Sequence, residues 1–174
     1  MLLDLTRYRQ PTAQFSRTFQ PSELASEGET YEIAAPVELA FEIQKDKDRF
    51  RLVGTVRTTL RLPCSRCLEG YAFPVDATFD LRYLPVEQAA GDGETEVGEE
   101  DLDTSFYRDD QIDLAEMMRE QFYLALPMKP LCRVDCKGLC PQCGTNLNGG
   151  PCGCETHMED PRLAALKALR TRES

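Results

Sequence analysis

The sequence predicts an α+β protein: an antiparallel β-meander packed with a helix, plus a C-terminal Cys-rich zinc module. Three observations predict it. Three consecutive segments between Pro36 and Tyr83 alternate apolar and polar residues with period 2, the signature of half-buried strands. One later segment repeats its apolar residues at helical spacing. Six of the eight cysteines lie between Cys132 and Cys154.

In chain order, residues 1–30 are polar with scattered aromatics (Tyr8, Phe15, Phe19) and read as an irregular arm. Residues 31–85 read as the sheet. Val37, Leu39, Phe41 and Ile43 share one face of the first run, against Glu38, Glu42 and Gln44 on the other. Lys45-Asp46-Lys47-Asp48 is a polar turn. Phe50, Leu52, Val56, Leu60 and Leu62 continue the apolar face, with Gly54 expected to mark a bulge or bend. The third run places Tyr71, Phe73, Val75, Ala77, Phe79, Leu81 and Tyr83 against Asp76, Thr78, Asp80 and Arg82. Runs joined by short turns make a meander with one apolar face.

Residues 86–110 are Gly- and acid-rich and read as an acidic loop. Residues 111–174 form the last unit. Its helix is predicted from about Ile112 to Leu126, capped by Asp110, with Leu114, Met117, Met118, Phe122 and Ala125 as its stripe. Pro127 and Pro130 stop it. Beyond the cysteines, Asp160-Pro161 opens a second predicted helix bearing Leu163, Leu166 and Leu169.

A length of 174 residues suits one domain, or one with a small appendage. No apolar run approaches the roughly 20 residues that span a bilayer, and the N-terminus has no leader pattern. The expected compartment is the cytoplasm, where thiols stay reduced and regular cysteine spacing favours metal over disulfides. Net charge is −10, unevenly spread. Residues 86–120 carry 13 acids and two bases, so the rest of the chain sums to +1. Residues 45–66 carry seven Arg or Lys against two Asp. The overall charge therefore hides a basic stretch.

Cys64-Ser65-Arg66-Cys67 falls at the tip of the hairpin between the second and third strands. Two cysteines three apart in a tight turn aim both sulfurs at one ion, which is half of a tetrahedral site. Cys140-Pro141-Gln142-Cys143-Gly144 repeats that spacing. Cys140, Cys143, Cys152 and Cys154 lie close enough in sequence to close one site locally. Cys132 and Cys136 are then left to join Cys64 and Cys67 in a second. Two Zn2+ ions with four cysteines each is the expected content, since thiolates in fours suit zinc; iron in a rubredoxin-like site is the competing metal. The bland alternatives are free thiols or disulfides. His157, the only histidine, is a candidate substitute ligand and a poor general base on its own. Closed four-cysteine sites leave no position for substrate or water, and no Gly-rich phosphate loop or Ser-His-Asp set occurs. The chain reads as non-enzymatic, with no small-molecule substrate and no membrane partner.

Several of these features occur together in one known family. Cys64-Ser65-Arg66-Cys67-Leu68-Glu69, Ile112-Asp113-Leu114, Leu126-Pro127, Leu131-Cys132, Cys136-Lys137-Gly138-Leu139-Cys140-Pro141-Gln142-Cys143-Gly144, Asn146-Leu147-Asn148 and Asp160-Pro161-Arg162-Leu163 resemble the bacterial YceD family. Its members are described as large ribosomal RNA subunit accumulation proteins. The resemblance implies a ribosome-biogenesis role in accumulation of large-subunit (23S) ribosomal RNA, with ribosomal RNA or a pre-ribosomal particle as partner. It implies no catalytic residues.

A chemical basis for RNA binding is sought in the residues themselves. Arg57, Arg61 and Arg66 lead toward the knuckle and are the candidate RNA-binding residues, because a guanidinium matches two phosphate oxygens. The competing reading is ordinary cross-strand neutralisation. It sets Ile43 opposite Phe50 and Glu42 opposite Arg51, with Asp76 and Asp80 reaching Arg61 and Arg57. Two alternative functions stand beside the ribosomal RNA role: a protein-binding adaptor, docking a basic ribosomal protein through the acidic loop, and a rubredoxin-like iron electron carrier.

Overall fold

A computed structural model describes residues 1–25, 28–86 and 104–154. The main sheet is built on two long antiparallel strands, β5 (Arg49–Pro63) and β6 (Gly70–Pro85), joined by the first cysteine knuckle. On the far side of β5 lies β4 (Val37–Asp46), and the two-residue β3 (Glu32–Ile33) pairs with β5 past the start of β4. The meander is as the alternation predicted. Val37, Leu39, Phe41, Ile43, Phe50, Leu52, Val56, Leu60 and Leu62 are all buried on one face.

The arm is not irregular. β2 (Thr12–Phe19) runs antiparallel to β4 from Thr12↔Gln44 to Phe19↔Val37. Its apolar alternation is broken at Arg17, whose guanidinium sits 4.6 Å over the Phe19 ring. As an outer strand it is held on one side only, so backbone pairing and the Phe15–Phe41 stack at 4.7 Å suffice. A short strand β1 (Leu2–Asp4), a 3-10 turn at Leu5–Arg7 and the one-turn helix α1 (Pro21–Leu24) complete the N-terminal region.

Gly54 makes no bulge. Register runs unbroken through Phe41↔Gly54 and Gly54↔Phe79. A Cβ there would stand 2.3 Å from the Ala40 carbonyl oxygen and 2.4 Å from Phe41 Cβ, so close packing explains the glycine.

The acidic loop is shorter than predicted at its C-terminal end. Thr104–Tyr107 form β7, parallel to the end of β6. Four residues are too few for alternation to register; the strand is fixed by Tyr107, edge-on to Phe50 and donating to the Asp48 carbonyl at 2.8 Å. Gln111–Asp113 form β8 with β1 as partner. The helix α2 (Leu114–Ala125) therefore begins two residues later than predicted, and Asp113, not Asp110, caps it. Asp113 Oδ1 accepts from the Ala115 N–H at 2.9 Å. Asp110 instead takes a positive φ of 54° in the turn before β8. Leu114, Met117, Met118 and Phe122 close the core over the sheet, while Ala125 is half-buried. The second predicted helix and His157 lie outside the described residues. Among the described residues no helix is long and apolar enough to cross a membrane.

Candidate metal centre

The knuckle is shaped by its backbone. Cys64 N–H bonds the Glu69 carbonyl at 2.9 Å, and Leu68 N–H bonds the Cys64 carbonyl at 2.9 Å. The chain thus folds back beneath the two sulfurs. The 130–150 segment is then laid on the knuckle: Ser65 N–H bonds the Pro130 carbonyl at 2.8 Å, the Arg66 guanidinium the Cys136 carbonyl at 2.8 Å, and Asn146 the Glu69 carboxylate at 2.8 Å. Gly138, with φ +76°, lets the segment approach closely; a Cβ there would lie 3.1 Å from the Arg66 carbonyl oxygen.

This docking assembles two sulfur quartets. Cys64, Cys67, Cys132 and Cys136 form one; Cys140, Cys143, Cys152 and Cys154 form the other, and within each quartet all four sulfurs lie within 4.8 Å of one another. The grouping is the one read from cysteine spacing. Cys64 Sγ is 3.8 Å from Cys136 Sγ and Cys67 Sγ 3.7 Å from Cys132 Sγ. Four sulfurs placed tetrahedrally at the ordinary Zn–S length of ~2.3 Å stand about 3.8 Å apart. The first quartet therefore fits a tetrahedral thiophilic ion. It is also the drier of the two: Cys64, Cys67 and Cys136 are buried, whereas the second has only Cys140 buried and Cys143 exposed.

Electrostatics divides each quartet into halves. The Cys67 N–H draws the Cys64 thiol down to about 6, and Asn148 lowers Cys136, while burial pushes Cys132 up to about 12. In the second quartet the Thr145 hydroxyl lowers Cys143 to about 6, and the Cys143 N–H lowers Cys140. Hydrogen bonding to Cys143, then burial, raises Cys154 to about 12. Adjacent thiolates repel, so four together cannot all ionise unaided. A divalent cation bonded to all four removes that limit.

Sequence reasoning missed the supports. Asn148 donates to Cys136 Sγ at 3.2 Å, and its Oδ1 accepts from the Lys137 N–H at 2.8 Å and from Arg133 at 2.7 Å. The Thr145 hydroxyl is hydrogen-bonded with Cys143 Sγ at 3.2 Å, and the Asn146 amide donates to the Glu69 carboxylate at 2.8 Å. The sequence signals were their crowding between cysteines and the place of Asn146-Leu147-Asn148 in the family resemblance, neither of which assigns them a role.

The arginines divide differently from expectation. Arg57 pairs with Asp76 at 2.9 Å, and Arg51 holds Asp80 in a two-pronged contact. Gln44 faces Arg51 and Leu52 faces Ile43, because the first turn is tighter than read. Arg61 lies opposite Ala72 and Glu32, its guanidinium over Gly70. Arg66 is engaged at the Cys136 carbonyl.

A family model described as large ribosomal RNA subunit accumulation protein YceD matches residues 52–170. A protein of Arabidopsis thaliana named large ribosomal RNA subunit accumulation protein YCED homolog 1, chloroplastic, is 29% identical over 80% of this chain and 50% of its own. An uncharacterised protein of Mycobacterium tuberculosis is 30% identical over 100% of this chain and 83% of its own. YlbN of Bacillus subtilis, also uncharacterised, is 26% identical over 90% and 87%. The chain spans about half the length of the chloroplast relatives it matches. No solved structure matches. Both sulfur quartets and α2 fall inside the matched span, and the chain belongs to the YceD family.

Proposed function

We propose that this protein is a non-enzymatic factor in the accumulation of large-subunit ribosomal RNA, stapled by two zinc ions and acting on the RNA or a pre-ribosomal particle. The carrying observation is the family match over residues 52–170, which spans every cysteine of both quartets. Zinc is favoured over iron because a closed four-sulfur site with a d10 ion gives stability without redox chemistry. Four sulfurs per ion fill the coordination shell, which supports a structural and not a catalytic metal.

The test is a strain lacking the protein. The ratio of large- to small-subunit ribosomal RNA should fall and be restored by the intact gene; an unchanged ratio overturns the proposal. Purified protein should be colourless and carry two equivalents of zinc, and a visible absorption band would assign iron instead. The acid-rich run over residues 86–120 favours one second reading, an adaptor for a basic ribosomal protein. Salt-sensitive binding to isolated ribosomal proteins, with none to RNA, would select it.

A further inference from the structure

Resting on that reading, a direct contact with RNA needs a surface, and the strand register singles one out at the end of the sheet remote from the cysteines. Arg51 on β5 stands directly opposite Arg82 on β6. Like charges facing across strands are destabilising, and Asp80 relieves the pair through its contact with Arg51. Arg49, two residues before Arg51, shares its outer face. Among the described residues no hydrogen bond or ion pair engages the Arg49 guanidinium. These three arginines line a cavity of about 440 Å³ together with Lys45, Phe50, Tyr83 and one acid, Asp46, the cross-strand neighbour of Arg49. Four cationic side chains thus stand against one carboxylate in the lining. The Lys45 ammonium sits 5.3 Å over the Phe50 ring and donates to the Tyr8 carbonyl at 3.3 Å.

We propose that this cationic end, centred on Arg49, Arg51 and Arg82, grips the phosphate backbone of ribosomal RNA. The arginines run along one strand and across to the next, forming a track suited to successive phosphates. Both aromatic rings are buried, Phe50 at 4% and Tyr83 at 6% exposure, so neither offers a face for a base to stack on. Recognition here is through charge and fork geometry, and is tolerant of sequence. Nearer the knuckle, among the described residues, no arginine faces another across strands: Arg57 stands opposite Asp76 and Glu38, Arg61 opposite Ala72 and Glu32, and Arg66 is held by the Cys136 carbonyl.

The experiment compares two exposed double variants of the full, metal-loaded chain, Arg49→Gln with Arg82→Gln and Arg57→Gln with Arg61→Gln. Each is titrated with a transcript of large-subunit ribosomal RNA over a range of salt. Two lost phosphate contacts should flatten the log–log salt slope by about 1.4, at ~0.7 per contact on single-stranded RNA. The first pair should show that loss and the second should keep the parent slope. Zinc content and thermal unfolding of both should match the parent. If the parent binds RNA and the Arg49/Arg82 variant keeps its affinity and slope, this assignment fails while the functional reading stands. A parent that binds no RNA, but does bind phosphatidylserine vesicles or nothing at all, overturns direct contact altogether.

Discussion

Leu68 and Gly144 occupy the same place in the two C-x2-C knuckles, one residue after the second cysteine, and both have positive φ, 62° and 73°. The chain must turn left-handed there to bring its next N–H beneath the sulfurs. Glycine does this freely, whereas a residue with a Cβ bears a cost of roughly 1–2 kcal/mol. Leu68 offsets little of that by burial, being 67% exposed. Leu68→Gly should therefore raise thermal stability by up to ~1 kcal/mol once the added freedom of the unfolded glycine is deducted, and Gly144→Ala should lower it by about 1 kcal/mol. A destabilised Leu68→Gly variant would mean that the exposed side chain has a contact of its own. Asn148 teaches the complementary lesson. Its spacing from Cys136 carries no ligand pattern, and its value arises only when the chain folds back to bring its amide to that sulfur. Such supports ordinarily change metal affinity by about 10–100-fold. Asn148→Ala should lose affinity in that range at the first quartet only, read by competition with a chromophoric chelator.

At the scale of elements, faces were legible and registers were not. Alternation identifies which residues of β4, β5 and β6 point inward, since that depends on each strand alone. Pairing depends on turn length, and the turn at Lys47, with φ 58°, shifts Phe50 from Ile43 to Lys45. β2 and β7 escaped notice because an outer strand needs backbone partners more than an apolar stripe. The start of α2 was misplaced for a related reason: Asp109, Asp110 and Asp113 all stand just before it, and only tertiary pairing of β8 with β1 decides among them. Asp113 is half-exposed. Burial pushes its carboxyl up, but bonds from the Met1 ammonium and the Ala115 N–H outweigh it and hold it below the ordinary carboxylate value. A depressed folded pKa gives stability that is present above the unfolded value of ~3.9 and lost as pH falls through the folded one. Asp113→Asn retains a capping side chain without the titration. Its melting temperature should vary less with pH below about 4 than the parent's, while Asp113→Ala should cost ~1 kcal/mol at neutral pH. Equal acid sensitivity of the Asp113→Asn variant and the parent would remove Asp113 from the acid response.

For the whole molecule, the cysteine grouping was legible by closure: once Cys140, Cys143, Cys152 and Cys154 are joined locally, Cys132 and Cys136 need partners from elsewhere. What the spacing did not reveal is how the two parts meet, through Pro130, Gly138 and Asn146 against the knuckle. The main apolar core and the cluster of Cys64, Cys67 and Cys136 have no buried residue in common, and half-buried Tyr71 packs against both. The metal should therefore fasten the module without being needed to fold the sheet. A strong chelator is expected to remove both ions, preserve the strand signal in circular dichroism, and open the chain to proteolysis between Ala125 and Cys154. Cys64 and Cys136 are 72 residues apart yet belong to one quartet. Cys64→Ser and Cys136→Ser should each lose one zinc, and the double variant no more than either alone, because ligands of one site are not independent. Cys140→Ser should lose one zinc from the other quartet and leave the module still clipped to the sheet. Protease protection separates the cases. The Cys140→Ser protein should keep the 126–138 segment protected, and the Cys64→Ser protein should not. Loss of two zincs in the Cys64/Cys136 double variant, with one in each single variant, would place the knuckle and Cys136 in different sites and undo the clip.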